Sequence, residues 1–229
     1  MDPLKADYSD HKVGEFRGFI MNNPTVFTID DFLPKPLFDL ILEGIREGED
    51  TFDRASVVDA ETGESTIHRL RTNQSAPLGY AKLPAACAFR DLAAATLRLH
   101  YTQAEELSVI KYDLGQEYAP HHDCFSPENL KMNRPEAGNR IFTALLYMTD
   151  VTEGGQTTFP HLNIEITPKA NRCIFFSTTH TGTDKSLDQA LHGSRPVIRG
   201  EKIAINLWFR ANVYNYGEYQ KTLDEQEKQ

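Results

Sequence analysis

The chain has 229 residues, of which 40% are hydrophobic and 25% charged, and this composition suits one globular domain and excludes a mainly disordered chain. The formal net charge of -9 argues against nucleic acid and anionic membranes as partners, since phosphate binding depends on clustered Lys and Arg. The sequence contains no run of about 18 apolar residues, and its three separated cysteines cannot form a disulfide framework, so we expect a soluble protein of the reducing cytoplasm.

The first half of the chain predicts helices after a short strand. Residues 26–29 form a β-branched run, and a polar turn then leads into a helix predicted over residues 35–46, where apolar residues recur at helical spacing. Residues 50–71 are polar and contain a turn signal, which predicts a hairpin or a mobile loop. A second helix is predicted over residues 84–100, with Pro84 at its first position.

The second half of the chain changes to short strand-like runs that are separated by breakers. Short strands that follow two helices are typical of an antiparallel barrel or sandwich backed by helices, so we predict an α+β, mainly β fold. The predicted strands cover residues 107–112, 141–149, 157–159, 162–166, 173–177 and 203–209. The expected organisation is an N-terminal extension over residues 1–25, a domain over residues 26–215 and a charged C-terminal tail over residues 216–229.

The densest polar cluster of the sequence is Tyr118-Ala119-Pro120-His121-His122-Asp123. In extended backbone the side chains at positions i and i+2 share a face, which makes His121 and Asp123 a candidate pair of metal ligands and turns His122 away. A third ligand has to come from elsewhere in the chain. Position alone does not choose among His11, His68, His100, His161, His180 and His192.

The surroundings of His192 are informative, because Lys202 follows it ten residues later at the start of an apolar, strand-like run. Two histidines and one carboxylate form the facial triad of non-haem Fe(II) oxygenases, which leaves coordination positions open for a bidentate cosubstrate and for dioxygen. A buried lysine beside such a triad supplies the countercharge for the far carboxylate of the cosubstrate.

Further motifs occur in a fixed order around these residues. They are Tyr112, Gly115-Gln116, Tyr118, His121-His122-Asp123, Arg140 to Asp150, Glu153 to Pro160, Pro168-Lys169, Leu191-His192-Gly193 and Gly200-Glu201-Lys202. This ordered set resembles the prolyl 4-hydroxylase family of Fe(II)- and 2-oxoglutarate-dependent dioxygenases, and the resemblance covers residues 26–210. A lone His-x-Asp triplet arises by chance, whereas the ordered set is specific.

The resemblance implies a double-stranded β-helix, which is a jelly roll of two facing sheets, with supporting N-terminal helices. It implies that His121, Asp123 and His192 ligate Fe(II), since the rival ligand His180 lacks a lysine at the required distance. It also implies that Lys202 pairs with the C5 carboxylate of the cosubstrate 2-oxoglutarate. Dioxygen is the oxidant in this family, and ascorbate is the expected reductant.

The same resemblance implies further residues of the cosubstrate pocket. Thr143 and Tyr147 lie four residues apart on a predicted strand, so they share the face on which the family places polar contacts to 2-oxoglutarate. Tyr112 matches a family tyrosine that lines the same pocket. Trp208 lies an even number of residues after Lys202, and it should therefore face inward as well.

The implied reaction is hydroxylation of an unactivated C–H bond, with succinate and carbon dioxide as coproducts. The resemblance points to a prolyl residue in a peptide or protein as the substrate, with Arg71 and Arg140 as candidate substrate-binding residues. A free or carrier-bound amino acid is the alternative substrate.

A different class of function is a non-catalytic metal-binding jelly-roll module. A zinc hydrolase is disfavoured because no candidate general base stands beside the His-x-Asp motif. The sequence leaves the oligomeric state open.

The chain departs from the family pattern at three positions. Ile203 stands where many relatives have Trp, and His122 stands where an aromatic residue is common, so both could alter which substrate is accepted. Asn171 replaces a Gly in the turn before Cys173. Because Asn tolerates the left-handed conformation, we expect this turn to survive.

Overall fold

The computed structural model describes residues 25–48, 52–55, 57–58, 65–66, 70–78, 83 and 85–214. The predicted C-terminal tail and all but the last residue of the predicted N-terminal extension lie outside the described residues, and so do Pro84 and the candidate ligands His11 and His68. The described residues form a mainly β structure with few helices, which confirms the predicted fold class.

The helices and strands are numbered in chain order. The helices are α1 (Lys35–Glu47), α2 (Ala85–Leu97) and α3 (Pro127–Met132). The strands are β1 (Val26–Ile29), β2 (Asp53–Arg54), β3 (Val57–Val58), β4 (Ser65–Thr66), β5 (Gln74–Leu78), β6 (Leu107–Tyr112), β7 (Tyr118–His121), β8 (Arg140–Tyr147), β9 (Glu153–Gly154), β10 (Thr157–Phe159), β11 (Ile164–Ile166), β12 (Cys173–Ser177), β13 (His192–Ser194), β14 (Val197–Arg199) and β15 (Lys202–Arg210).

Two antiparallel sheets face each other as a jelly roll. The larger sheet has seven strands in the order β1-β12-β8-β15-β6-β5-β2, and the smaller has four in the order β11-β10-β13-β7. The pairs β9 with β14 and β3 with β4 lie outside these two sheets. The β3–β4 pair is the hairpin predicted within residues 50–71.

The larger sheet separates two hydrophobic cores. On its outer face, Ile203, Ile205 and Leu207 of β15 pack with apolar side chains of α1 and α2, including Ile41 and Phe89. Full burial of side chains of this size contributes about 1.5–3 kcal/mol each. The intervening positions of β15 face the smaller sheet, because side chains alternate along a strand. The same strand therefore serves one core and the space between the sheets.

The helix predictions hold with shifted ends. Helix α1 has Pro36 in its first turn, buries Phe38, Ile41 and Ile45 on one face, and ends at Gly48, whose N–H caps the last turn. Helix α2 ends three residues earlier than predicted, since Arg98 adopts a positive φ of 55°. No described helix is long and apolar enough to cross a membrane.

The sequence does not predict several short elements, among them three strands and one helix. Strand β5 contains Pro77 and polar residues, so its composition does not predict a strand, and α3, β13 and β14 have six residues or fewer. The predicted strand over residues 162–166 is shortened to β11, because Asn163 adopts a left-handed φ of 53° after a 3-10 turn. Tertiary pairing and turn geometry decide these elements rather than local propensity.

Asn171 occupies the turn before β12 with a φ of 62°, so the expected turn is present. Its side chain also ties this turn to the segment before α1. Asn171 Oδ1 accepts a hydrogen bond from Leu33 N–H at 2.9 Å, and Asn171 Nδ2 donates to Leu33 C=O at 2.8 Å. A glycine would satisfy the backbone conformation but would leave both buried groups of Leu33 unpaired.

We expect substitutions of Asn171 to separate these two roles. Asn171→Gly should lower the free energy of unfolding by roughly 1–3 kcal/mol, through the lost hydrogen bonds. Asn171→Ala should cost about 1 kcal/mol more, because Cβ opposes a left-handed backbone. Urea unfolding with an unchanged m-value measures both effects. Equal stability of Asn171→Gly and the wild type would show that the two hydrogen bonds contribute nothing.

Candidate metal centre and substrate groove

Strands β7 and β13 bring two histidines together. The two strands pair antiparallel, with His121 directly opposite His192. Gly193 allows this close approach, since a Cβ atom added there would lie only 2.9 Å from the carbonyl oxygen of Tyr118. The pairing places both imidazole rings on one side of the smaller sheet, with their centroids 4.3 Å apart.

Asp123 completes a cluster of three metal-ligating side chains. The chain leaves β7 after His121, and Asp123 follows in a bend. Its Oδ1 lies 3.7 Å from Nε2 of His121, and its Oδ2 lies 3.7 Å from Nε2 of His192. One ligand atom from each residue falls within 4.8 Å of the others, and no other such group occurs in the described part of the chain.

Backbone carbonyls orient the two histidine rings. Nδ1 of His121 lies 2.9 Å from the carbonyl oxygen of Ala119, and Nδ1 of His192 lies 2.9 Å from that of Ala190. A carbonyl oxygen can only accept, so both Nδ1 atoms carry hydrogen and each ring turns its Nε2 toward the cluster. This is the outer hydrogen bond that metal-ligating histidines commonly make. Tyr118 stacks on the His121 ring at 3.6 Å.

The protonation states of the cluster suit a metal cation. Burial and then the neighbouring His192 lower the pKa of His121 to about 3, which keeps its ring neutral. Burial alone would raise the pKa of Asp123, but the two histidines and a hydrogen bond from Thr143 outweigh it and lower this pKa to about 2. Neutral imidazole and ionised carboxylate are the forms that bind metals. The donor set therefore fits Fe(II).

Thr143 and Tyr147 point to the same side of β8, as the four-residue spacing predicts, but their hydroxyls serve different partners. Thr143 Oγ1 donates to Asp123 Oδ2 at 2.6 Å, so this hydroxyl orients a ligand of the triad. Tyr147 Oη donates to Oγ1 of Thr157 at 2.6 Å, beside the predicted countercharge Lys202. Both tie the larger sheet to groups of the site.

Lys202 lines a narrow cavity together with His121 and His192. Its side chain is 1% exposed. Nζ donates to Ser194 Oγ at 2.7 Å and to Thr157 Oγ1 at 3.4 Å, and it lies 4.8 Å from the ring centroid of Tyr112. Burial lowers the pKa of Lys202 to about 7. A cation surrounded by hydroxyls fits one carboxylate of a dianion.

Sequence reasoning missed the hydroxyls of Ser194 and Thr157. The i, i+2 rule would have placed Ser194 on the same face of a strand as His192. Thr157 lies opposite Ser194 in the pairing of β10 with β13, and such a non-local register has no local sequence signal.

A wider groove of about 400 Å³ opens over His121 and Asp123 toward solvent. We call it the outer groove, and its walls include Arg71, Arg140 and Trp208. Arg71 lies over the Tyr118 ring at 4.7 Å, and its Nε donates to Asn73 Oδ1. Trp208 thus lines the space outside the metal cluster rather than the narrow cavity around Lys202. His122 lines the outer groove too.

Arg140 is held in the wall by a buried carboxylate. Nε and Nη2 of Arg140 donate to the two oxygens of Glu105, each at 2.8 Å, while its guanidinium stacks on Trp208 at 3.8 Å. Nη1 donates to the carbonyl oxygen of Asp123 at 3.2 Å. Arg210 donates to the same Glu105 at 3.0 Å. Glu105 was missed by sequence reasoning, because no local pattern reveals its distant arginine partners.

The chain matches a known enzyme superfamily and known sequences. The family model of the 2OG-Fe(II) oxygenase superfamily matches residues 107–210. Prolyl 4-hydroxylase 2 of Arabidopsis thaliana is 28% identical over 218 residues, which are 86% of this chain and 70% of the relative. Probable prolyl 4-hydroxylase 8 of the same plant is 31% identical, over 71% of this chain and 61% of the relative. The chain thus spans less than two thirds of that second relative.

Solved structures share the fold. The viral collagen prolyl hydroxylase of Paramecium Bursaria Chlorella virus-1, solved as a 2OG complex, has a TM-score of 0.64 at 24% identity and covers 84% of this chain and 99% of its own. A prolyl hydroxylase from Trichoplax adhaerens, solved with a hypoxia inducible factor peptide fragment, has a TM-score of 0.61 at 19% identity and covers 82% of this chain and 84% of its own. These similarities agree with the jelly roll described above.

We expect Glu105→Gln to weaken both stability and metal binding. The isosteric amide leaves two buried guanidinium groups without their anion, which should cost roughly 3–5 kcal/mol of unfolding free energy. Because Arg140 also holds the backbone of Asp123, Mn(II) affinity should fall roughly tenfold. Urea unfolding and Mn(II) titration by electron paramagnetic resonance test the two effects.

The matched control for this variant is Glu106→Gln, at an exposed neighbouring position. It should change neither quantity. Full Mn(II) affinity in a folded Glu105→Gln protein would disprove the connection between Glu105 and the metal ligand Asp123.

Proposed function

We propose that the chain is a member of the prolyl 4-hydroxylase family of Fe(II)- and 2-oxoglutarate-dependent dioxygenases, which it resembles in sequence and fold, and that it hydroxylates a prolyl residue in a peptide or protein. Succinate and carbon dioxide are the coproducts of this class of enzyme. The observation that carries the proposal is a His-Asp-His cluster beside a narrow cavity that a buried lysine also lines, with an open groove over His121 and Asp123.

The roles of the cluster follow from its hydrogen bonds. His121, Asp123 and His192 would hold Fe(II), which when bound supplies the activation of dioxygen for insertion of one oxygen atom into a C–H bond. The carbonyls behind the two rings fix their tautomer. Thr143 fixes the orientation of the Asp123 carboxylate through its 2.6 Å hydrogen bond.

The narrow cavity would receive 2-oxoglutarate. Lys202 would pair with the C5 carboxylate, and Ser194, Thr157 and Tyr112 surround the same end of the cavity. Because these groups are buried, they keep water from the ion pair and so strengthen it. The Tyr147 hydroxyl is bound to Thr157, so Tyr147 would position a cavity wall rather than hold the cosubstrate itself.

The outer groove supports a peptide rather than a free amino acid. Arg140, one of the two arginines that could bind the carboxylate of a free amino acid, is bound bidentately to Glu105 and stacked on Trp208. This leaves Arg71 as the other candidate for such a carboxylate. The groove is open to solvent, and its rim includes Leu70, which is 51% exposed. An exposed apolar rim suits a ligand that extends beyond the metal centre.

We also propose ascorbate as the reductant and the cytoplasm as the location. The cysteines support a reducing compartment, since no disulfide links Cys87, Cys124 and Cys173 in the described part of the chain. Enzymes of this family need their iron kept as Fe(II), and this need is the reason for proposing ascorbate.

The function is tested by succinate formation from 2-oxoglutarate with Fe(II) and ascorbate, in the wild type and in His121→Ala. Proline-rich peptides and free amino acids are added separately. We expect peptides to stimulate succinate formation in the wild type alone, with a matching mass gain of one oxygen atom on proline.

Other outcomes of this assay would redirect the proposal. Stimulation only by a free amino acid would assign the chain to small-molecule metabolism. No succinate under any condition, with metal verified in the protein, would favour a non-catalytic metal-binding module.

The lowered pKa of Lys202 predicts a pH-dependent affinity for 2-oxoglutarate. A carboxylate pairs only with the charged ammonium, so binding above about pH 7 has to take up a proton, and affinity should fall by up to roughly tenfold per pH unit there. Below that pH the lysine is already charged, and the dependence should flatten. Calorimetric titration of the Mn(II)-loaded protein in two buffers of different ionisation enthalpy measures this uptake.

The control for this prediction is Lys202→Met, which keeps an unbranched side chain one atom shorter and removes its charge. It should lose roughly 2–5 kcal/mol of binding free energy and show no proton uptake. An unchanged 2-oxoglutarate affinity in Lys202→Met, or in Lys202→Ala, would remove Lys202 from the cosubstrate site.

A further inference from the structure

Asn139 is a buried polar residue that lies directly before β8. Its side chain is 0% exposed and makes four hydrogen bonds, all of them to backbone groups. Oδ1 accepts from the N–H groups of Phe125 and Arg140, each at 2.8 Å. Nδ2 donates to the carbonyl oxygens of Phe125 at 2.9 Å and of Asp184 at 3.3 Å. The full hydrogen-bonding capacity of this amide is therefore used.

Two of these bonds hold both backbone polar groups of Phe125. This residue follows the metal ligand Asp123 by two positions and lies outside the strands and helices. A neighbouring strand normally supplies such a donor and acceptor pair. Here the side chain of Asn139 takes the place of that strand, so the position of Phe125 depends on one amide group.

Phe125 belongs to the wall of the outer groove. Its ring centroid lies 4.6 Å from the guanidinium carbon of Arg140 and 5.0 Å from that of Arg210. Aromatic side chains line the grooves in which many domains bind extended, proline-rich peptides. A ring that is held in place before the peptide arrives adds little ordering cost to binding.

The metal ligand Asp123 has supports that do not involve the Asn139 side chain. Thr143 Oγ1 donates to its carboxylate, and Arg140 Nη1 donates to its carbonyl oxygen. The guanidinium of Arg140 is fixed in turn by Glu105. Removal of the Asn139 amide should therefore release the groove wall and leave the metal ligand in place.

Resting on the proposed function, we propose that Asn139 is a positioning residue for the peptide substrate, which acts by holding Phe125 in the wall of the outer groove. Without the Asn139 amide, peptide binding would have to order this segment. Binding of the metal ion and of 2-oxoglutarate would not, because their residues are held by other contacts.

The test is a double-mutant cycle of Asn139→Ala and Phe125→Leu. A peptide that alternates proline with alanine is titrated into protein loaded with Mn(II) and 2-oxoglutarate without oxygen. Trp208 is the only tryptophan of the chain and lines the outer groove, so its fluorescence reports binding. The affinities for Mn(II) and 2-oxoglutarate are measured on the same proteins without the peptide.

The matched control is Asn212→Ala. Asn212 is an exposed asparagine whose Nδ2 donates to the carbonyl oxygen of Glu136 at 3.1 Å. The control thus also removes an amide that bonds to the backbone, and all its affinities should equal those of the wild type.

We expect Asn139→Ala to weaken peptide binding by up to roughly tenfold, which is the cost of ordering one wall residue on binding. The affinities for Mn(II) and 2-oxoglutarate should be unchanged. In Phe125→Leu the aromatic contact is already lost, so the additional change Asn139→Ala should weaken peptide binding much less.

Three results would overturn the inference alone. They are wild-type peptide affinity in a folded Asn139→Ala protein, equal weakening by Asn139→Ala with and without Phe125→Leu, and a loss of Mn(II) affinity as large as the loss of peptide affinity. If Asn139→Ala does not fold, Asn139→Asp replaces it in the cycle with the same outcomes. Its carboxylate still accepts from the two N–H groups and loses only the bonds to the two carbonyl oxygens.

Failure of the proposed function gives a different result. The wild type would then neither bind nor hydroxylate the peptide, while a free amino acid would stimulate succinate formation. In that case this inference fails together with the proposed function.

Discussion

A fully buried ammonium group is the constraint on which the site depends. Burial of an unpaired charge is costly, and in Lys202 burial is the cause of the lowered pKa. Two hydroxyls and the ring of Tyr112 compensate only in part. The charged form of the lysine is therefore stabilised when an anion occupies the cavity, which His121 and His192 also line. If the cosubstrate left the cavity, or if Lys202 became exposed to water, the pairing of the buried ammonium group with an anion would be lost.

The alternation of side chains along β15 and β8 lets the same strands build both the core and the site. In β15, Ile203 and Ile205 face the helices while Lys202 and Asn206 line the cavity. Ile203, which departs from the family pattern, therefore packs in the core under the helices and does not line the cavity. A shift of register by one residue would exchange these faces, so the apolar packing under α1 and α2 also fixes the position of the lysine.

The sequence was sufficient where the signal is local or periodic. The spacing of apolar residues predicted α1, and alternation placed Thr143, Tyr147 and Trp208 on the site side of their strands. The ligand set came from an ordered series of motifs. Glu105 and Thr157 were not predictable, since their partners are set by long-range pairing.

Arg140 contacts both a wall of the outer groove and a metal ligand. Its guanidinium touches Trp208 in the groove wall, donates to the carbonyl oxygen of Asp123, and is fixed by Glu105. A substrate that packs against Trp208 therefore contacts the ring on which the Arg140 guanidinium stacks. The same guanidinium holds the backbone of the metal ligand Asp123. Since Glu105 is shared with Arg210, the end of β15 belongs to this assembly. The groove wall is thus part of the support of the metal centre, and substrate binding acts on a position close to the chemistry.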